Sequence, residues 1–175
     1  VGKDFEADGI VDARKYPLTY IGVEPITFGQ DLLFLPGDGS SMHMSGGYLE
    51  GQFVAPEDGS LVLSNIECRN GGQLNQNDCA LVIDESMSTS GGVAYLSDEI
   101  FAAEVSTSGS GTNRVIRDAE ILGDYNNQAT TIVHRGTLYI YGDLVNEGVL
   151  AGEVDTGPGF SGDGSTQPGD GFSIG

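Results

Sequence analysis

Hydrophobic positions recur along this chain in one short motif. An apolar residue, a spacer and a second apolar residue are followed by three mostly small or polar residues and a third apolar one. The motif reads Ile26-x-Phe28-x-x-x-Leu32, Met42-x-Met44-x-x-x-Tyr48, Leu81-x-Ile83-x-x-x-Met87, Ala94-x-Leu96-x-x-x-Ile100 and Leu138-x-Ile140-x-x-x-Leu144. Imperfect copies stand at Leu61-x-Leu63 with Ile66, and at Ile116 with Ala119 and Ile121. Period-two alternation puts the first two apolar residues on one face of a strand. The spacer, as in Ser45-Gly46-Gly47 or Asp84-Glu85-Ser86, turns the chain, and the third apolar residue opens a second short strand toward the same interior.

Copies begin at residues 26, 42, 61, 81, 94, near 115 and at 138, a spacing near 20 residues that is the signature of a solenoid. A coil that short cannot bury its apolar edge alone and must stack on its neighbours. Clusters at Pro36–Gly39, Pro56–Gly59, Asn70–Gly72, Ser90–Gly92, Ser108–Gly111 and Asp124–Asn127 supply residues that tolerate tight corners. The expected class is all-β: a short parallel β-helix of about six to seven coils. A β-sandwich or jelly roll is the alternative, since its strands and turns are spaced similarly. The run Asn65, Asn70, Asn75 and Asn77 fits amide ladders or isolated turn asparagines. One segment, Ser97 to Val105, reads equally as a helix capped by Ser97 or as a strand.

The motif divides the chain into residues 1–25, a cap or contact arm; 26–151, the solenoid; and 152–175, an extended tail rich in Gly, Pro and Ser. Composition alone makes that tail a flexible linker, with Phe160, Phe172 and Ile174 as the apolar anchors that a neighbouring subunit would grip. The chain begins at Val1 without methionine, which fits either a trimmed methionine or a removed leader. No stretch approaches the apolar length of a membrane span.

Charge narrows the partners. With 26 acidic and 7 basic residues the formal charge is −19, and the lysines are Lys3 and Lys15 alone. Nucleic-acid binding needs clustered cations to neutralise phosphates and is not expected here. A dense acidic surface keeps a strand-rich protein soluble and discourages edge pairing. The 28 glycines exceed what an ordinary compact domain uses, in keeping with many corners and a loose tail.

Candidate chemistry is sparse. Cys68 and Cys79 enclose a loop that a disulfide could close, worth roughly 2–3 kcal/mol; free buried thiols are the equal alternative. His43 lies between Met42 and Met44 and should point away from their face, and His134 follows Val133 on another strand. Asp84 with Glu85, Asp98 with Glu99, and Asp118 with Glu120 suggest an acidic corner repeated on successive coils. Such a corner is either solvated or bridged by a hard cation, calcium being the natural one, and a carboxylate pair is also what glycosidases use. Tyr95, Tyr139 and Tyr141 are the aromatics a saccharide would stack on, although tryptophan is missing. No Walker loop or Cys/His metal spacing is present.

The repeat resembles the parallel β-helix families, notably pectate-lyase-like folds and bacteriophage spikes and fibres, over residues 26–152. The stretch Gly136-Thr-Leu-Tyr-Ile-Tyr-Gly-Asp-Leu-Val-Asn-Glu-Gly-Val-Leu-Ala-Gly152 is similar to the Gly/Asn-punctuated coils of bacterial surface solenoids. The chain departs from the polygalacturonase-like enzymes, having no Asp-Asp pair, no Gly-His-Gly and no Arg-x-Lys. The resemblance thus implies architecture and little catalysis. The expectation is a non-enzymatic structural protein, foremost a virion component of head-decoration or fibre type, joined through its ends to copies of itself or to another protein of the assembly. A filament or adhesin subunit at a cell surface, and a carbohydrate-binding or carbohydrate-cleaving β-helix, are the alternatives.

Overall fold

In the structure, a computed structural model, every described strand lies in a parallel ladder, and together the ladders form a β-solenoid of about seven turns. Residues 9–17, 19–22, 25–77, 79–152, 154–156, 160–161, 165–168 and 173–174 are described. The chain enters through β1 (Ile10–Asp12), β2 (Thr19–Gly22) and β3 (Ile26–Phe28). It continues through β4 (Leu33–Leu35), β5 (Ser41–Leu49), β6 (Gln52–Val54), β7 (Ser60–Cys68), β8 (Gln73–Asn75) and β9 (Ala80–Thr89). The next turns use β10 (Val93–Thr107), β11 (Thr112–Ile121), β12 (Asp124–Asn127), β13 (Thr130–Val133), β14 (Leu138–Ile140) and β15 (Leu144–Asn146). The last segments are β16 (Val149–Gly152), β17 (Val154–Thr156), β18 (Phe160–Ser161), β19 (Ser165–Pro168) and β20 (Ser173–Ile174).

Each turn has three faces, one more than the motif suggested. Face 1 stacks Val11, Phe34, Phe53, Leu74, Ala94, Asn113, Thr131 and Leu150 in one register column. Face 2 carries the column Met42, Leu61, Leu81, Ile100, Ile121 and Ile140. Face 3 carries Ile26, Gly47, Ile66, Met87, Val105, Tyr125 and Leu144. The third face was hidden because the motif copies start on different faces. Leu81 and Ile83 belong to face 2, whereas Ala94 and Leu96 belong to face 1, where they pair with Asn113 and Val115. Tyr48, read as an inward position, points out beside inward Leu49 and is 37% exposed; the inward place before it falls to Gly47. The helical alternative for 97–105 is not what forms: β10 runs unbroken as a strand through all three faces.

Gly47 shows how tight the stacking is. Its φ is +119°, and a Cβ there would lie 1.9 Å from the carbonyl oxygen of Ile26 in the turn below. Only a residue without a side chain permits that approach. Asn65, Asn70 and Asn77 take left-handed corners with φ of 55°, 52° and 55°. The turn-asparagine reading therefore holds for these three.

The interior changes character along the axis. Toward the first turns it is aromatic: Phe28, Phe34 and Phe53 pack with ring centroids 5.4–5.7 Å apart. Further along, between faces 3 and 1, it is a buried polar network. The Thr89 hydroxyl donates to Asn113 Oδ1 at 2.8 Å, and the Asn113 amide donates to the Tyr125 hydroxyl at 2.8 Å. Tyr125 in turn meets the Thr131 hydroxyl at 2.7 Å. Asn127 Oδ1 accepts from Thr107 and Thr131, while its amide donates to Asn146 Oδ1 and the Val149 carbonyl. Asp124–Asn127 was expected as a corner cluster; it is a strand, with Tyr125 and Asn127 wholly inside. Burying amides costs free energy unless each finds partners, and here the stacking of successive turns supplies them.

The ladders run beyond both expected boundaries. β1 and β2 already pair with β4 and β5. β18, β19 and β20 pair with β15, β16 and β17, so the composition change at residue 152 does not interrupt them.

Two outcomes test this core. Asn127→Ala removes the acceptor of the Thr107 and Thr131 hydroxyls and the donor to Asn146 Oδ1 and the Val149 carbonyl, and should destabilise by about 3 kcal/mol in denaturant titration; a loss under about 0.5 kcal/mol contradicts the network. Burial pushes the Cys68 and Cys79 thiols up to about 11 and the Tyr125 phenol to about 12. The unfolded chain loses these protons first, so stability falls as pH rises from about 9 toward 12. A flat melting temperature across that window contradicts the burial.

Candidate functional site

Outward side chains obey the same columns as the core, so the stacking step decides which polar residues meet. At the corner between faces 2 and 3, Ser64 donates to Asp84 and Asn65 donates to Glu85, each pair one turn apart. The same step gives Ser90 to Glu67, Asn77 to Glu57 and Gln128 to Glu147. Acidic residues at corners are thus met by neutral donors from the adjacent turn, which lets a chain of charge −19 stack its corners.

Two clefts flank this corner over the early turns. One, of about 530 Å³, is lined by His43, Ser45, Ser64, Asp84 and Glu85 together with Pro25, Gly46 and Asn65. The other, of about 330 Å³, lies toward face 3 and is lined by Tyr48, Glu67, Ser86 and Ser88 among others. The first brings a serine, a histidine and an aspartate together, but not in the order a nucleophilic relay needs. The Ser45 hydroxyl lies 3.4 Å from His43 Nε2, while Asp84 accepts its hydrogen bond from Ser64. A relay requires the carboxylate to hold the other ring nitrogen. Beside the second cleft, the Arg69 guanidinium lies 3.3 Å over the Tyr48 ring and donates to Glu50 at 2.8 Å. The Arg69 hydrogen bond, helped by Asn70, holds the Glu50 carboxyl below its ordinary range.

The sequence candidates are dispersed. Asp84 stands at the corner between faces 2 and 3, whereas Asp118 stands at the corner between faces 1 and 2, its Oδ1 accepting from the Thr137 amide at 2.8 Å. Asp98 pairs in register with Ala119, which places its backbone at the start of face 2, away from the Asp84 corner. No group of three or more potential metal ligands occurs among the described residues. Tyr95 lies on face 1 and Tyr139 on face 2, with Tyr141 at the far end of face 2, so the three form no single row. Cys68 and Cys79 are free and buried, Cys68 on face 3 in register with Thr89 and Cys79 just before β9 on face 2. His43 is half-buried on the outward side of face 2, and His134 is exposed, 3.0 Å from the Arg114 guanidinium.

What the structure adds is the condition of the ends. Among the described residues β1, β2 and β3 each have a ladder partner on one side only, as do β18, β19 and β20. At the first end Ile10, Tyr16 and Ile21 are 71%, 68% and 68% exposed, Ile10 and Ile21 on the outward side of their strands. At the other end Phe160 pairs in register with Leu144 and Ile174 with Thr156; Phe172 lies outside the described residues. Sequence reasoning assigned contacts to the tail and left Ile10 and Ile21 unremarked, because no motif copy begins before residue 26. No family model matches the chain, and no curated protein or solved structure matches it.

Proposed function

We propose that this protein is a non-enzymatic structural block that joins end to end, or end to partner, through the open ladders of its solenoid. One observation carries the reading: among the described residues, six strands at the two ends have a partner on one side only, with large apolar side chains exposed at the first end. Unpaired N–H and C=O groups in a row are a template for another strand, and proteins ordinarily blunt such edges with charge, proline or a covering segment. Ile10 and Ile21 do the opposite. An added ladder would satisfy those groups and cover the apolar side chains in one step. The setting we propose is a virion component of head-decoration or fibre type, with a surface filament as the other setting in which a rigid solenoid serves. The partner in either case is a second copy or another structural protein of the assembly.

The Ile10→Lys/Ile21→Lys double variant places charge on side chains that are already exposed, so the fold should be retained. Light scattering and negative-stain imaging should then show loss of axially extended species. Removal of residues 155–175 tests the opposite end by the same readout. Assembly that survives both changes contradicts the proposal.

A further inference from the structure

The ladder bonds of this solenoid obey one rule of direction. Outward residues give their N–H groups to the turn before: Leu33 to the Gly9 carbonyl at 2.8 Å, Gln73 to Gly51 at 2.8 Å and Tyr141 to Ile121 at 2.9 Å. Residues in step with the inward columns give theirs to the turn after: Ala13 to the Leu35 carbonyl at 2.8 Å, Gln76 to Tyr95 at 3.0 Å and Tyr125 to Asp143 at 2.8 Å. Each carbonyl follows its own N–H, since the acceptors Leu35, Tyr95 and Asp143 are outward and take their bonds from the turn before. Every internal junction therefore couples the outward residues of one turn to the inward residues of the turn before it.

That rule makes the two ends chemically opposite. On β1 and β2 the backbone groups that face away from the solenoid belong to Ile10, Asp12, Thr19 and Ile21, all of them exposed. Among the described residues no strand lies beyond them. On β19 and β20 the groups facing away belong to Thr166, in the column of Leu150, and Ile174, in the column of Ile140 and Thr156. Pro168, in register with Gly152, has no N–H, so the donors of β19 toward the open side end at Thr166.

We propose that the first end is a socket for the last end of a second copy, so that copies join head to tail in one direction. Resting on the end-to-end reading above, the socket pairs defined groups. On face 1 the Asp12 N–H donates to the Thr166 carbonyl of the second copy, and that Thr166 N–H donates to the Ile10 carbonyl. On face 2 the Ile21 N–H donates to the Ile174 carbonyl of the second copy, and that Ile174 N–H donates to the Thr19 carbonyl. Both sets repeat the pattern by which Leu33 and Leu35 hold Gly9 and Ala13 inside the molecule. A head-to-head meeting sets outward residues against outward residues in antiparallel ladders, whereas every described ladder is parallel. A two-fold across the axis also turns only one face onto itself and leaves the other two opposite strands of different faces. Head to tail, faces 1 and 2 continue in line. Face 3 keeps one open strand level between β18 and β3, because β18 precedes β19 and β3 follows β2. The two surfaces differ, so the contact is heterologous and does not close at two copies.

Disulfide trapping in the full chain tests the direction, with Ile10→Cys on one chain and Ser165→Cys on another. The two positions share a register column, so head-to-tail copies bring them a strand spacing, roughly 4.8 Å, apart. That separation lies within the span of a disulfide. The native Cys68 and Cys79 are buried and stay out of mild oxidation. The chains are mixed equally with oxidised glutathione at about 0.15 M salt, where a Debye length of roughly 8 Å screens the like charge of the copies. Links between the two kinds of chain should exceed links between like chains about tenfold or more, because held thiols meet at high effective concentration. Asp12→Pro added to the Ile10→Cys chain removes an N–H that faces out of the fold. It should lower the mixed link about tenfold while circular dichroism keeps the strand signal. Links between two Ile10→Cys chains, a statistical mixture of all pairs, or a link indifferent to Asp12→Pro overturns the inference. Absence of the link overturns it alone if sedimentation still shows extended species, and together with the end-to-end reading if it shows none.

Discussion

Everything in this molecule depends on one constraint: each residue sits a strand spacing, roughly 4.8 Å, from the residue one turn earlier. Ladder hydrogen bonds fix that distance, and from 16 residues of chain (Leu138 to Val154) to 23 (Ile10 to Leu33) must fit within each turn to keep it. The columns follow directly. An apolar residue needs an apolar residue above and below it, which is why face 2 reads Met42, Leu61, Leu81, Ile100, Ile121, Ile140. Where the backbone of one turn closes on the next no side chain fits, as at Gly47 over the Ile26 carbonyl. A buried amide survives only if the adjacent turn offers a partner, and Asn127 finds partners on both sides.

The same constraint governs charge. Like charges stacked at that spacing repel, so corner carboxylates are matched by Ser, Asn or Gln one turn away, as Asp84 is by Ser64 and Glu147 by Gln128. Where acidic residues do stack, as Asp124 and Asp143 do, a backbone amide sits between them. At the other margin of the same face Arg117 and Arg135 stand beside Asp118. A surface of −19 is thus locally patterned, and the pattern, not the sum, determines what can pack against it.

The solenoid was legible in the sequence because its spacing leaves a periodic trace, and the all-β, parallel, stacked architecture followed from that trace. The number of faces was not. A column repeats every turn whichever face it lies on, so Leu81-x-Ile83 and Ala94-x-Leu96 look alike although they line different faces. The polar core was invisible for a related reason. Asn127 has the same side chain as Asn65, yet one is fully buried on a strand and the other takes a left-handed corner. Only the register separates them, and register depends on residues a full turn away. The acidic corner failed as a single site on the same account: Asp84 and Asp118 share a local pattern and stand at different corners. Residues 1–25 read as a cap or contact arm, but Ile10 and Ile21 did not stand out, being outward residues on strands too short for any motif.

The central claim is that a parallel solenoid with open ends serves as an axial building block. Diffraction from oriented native assemblies, or averaged electron images of them, tests it most directly. The account predicts a reflection near 4.8 Å along the long axis, continuous across subunit junctions because one copy's last ladder meets the next copy's first. Assemblies in which that spacing lies across the long axis, or preparations that contain only isolated copies, would contradict it.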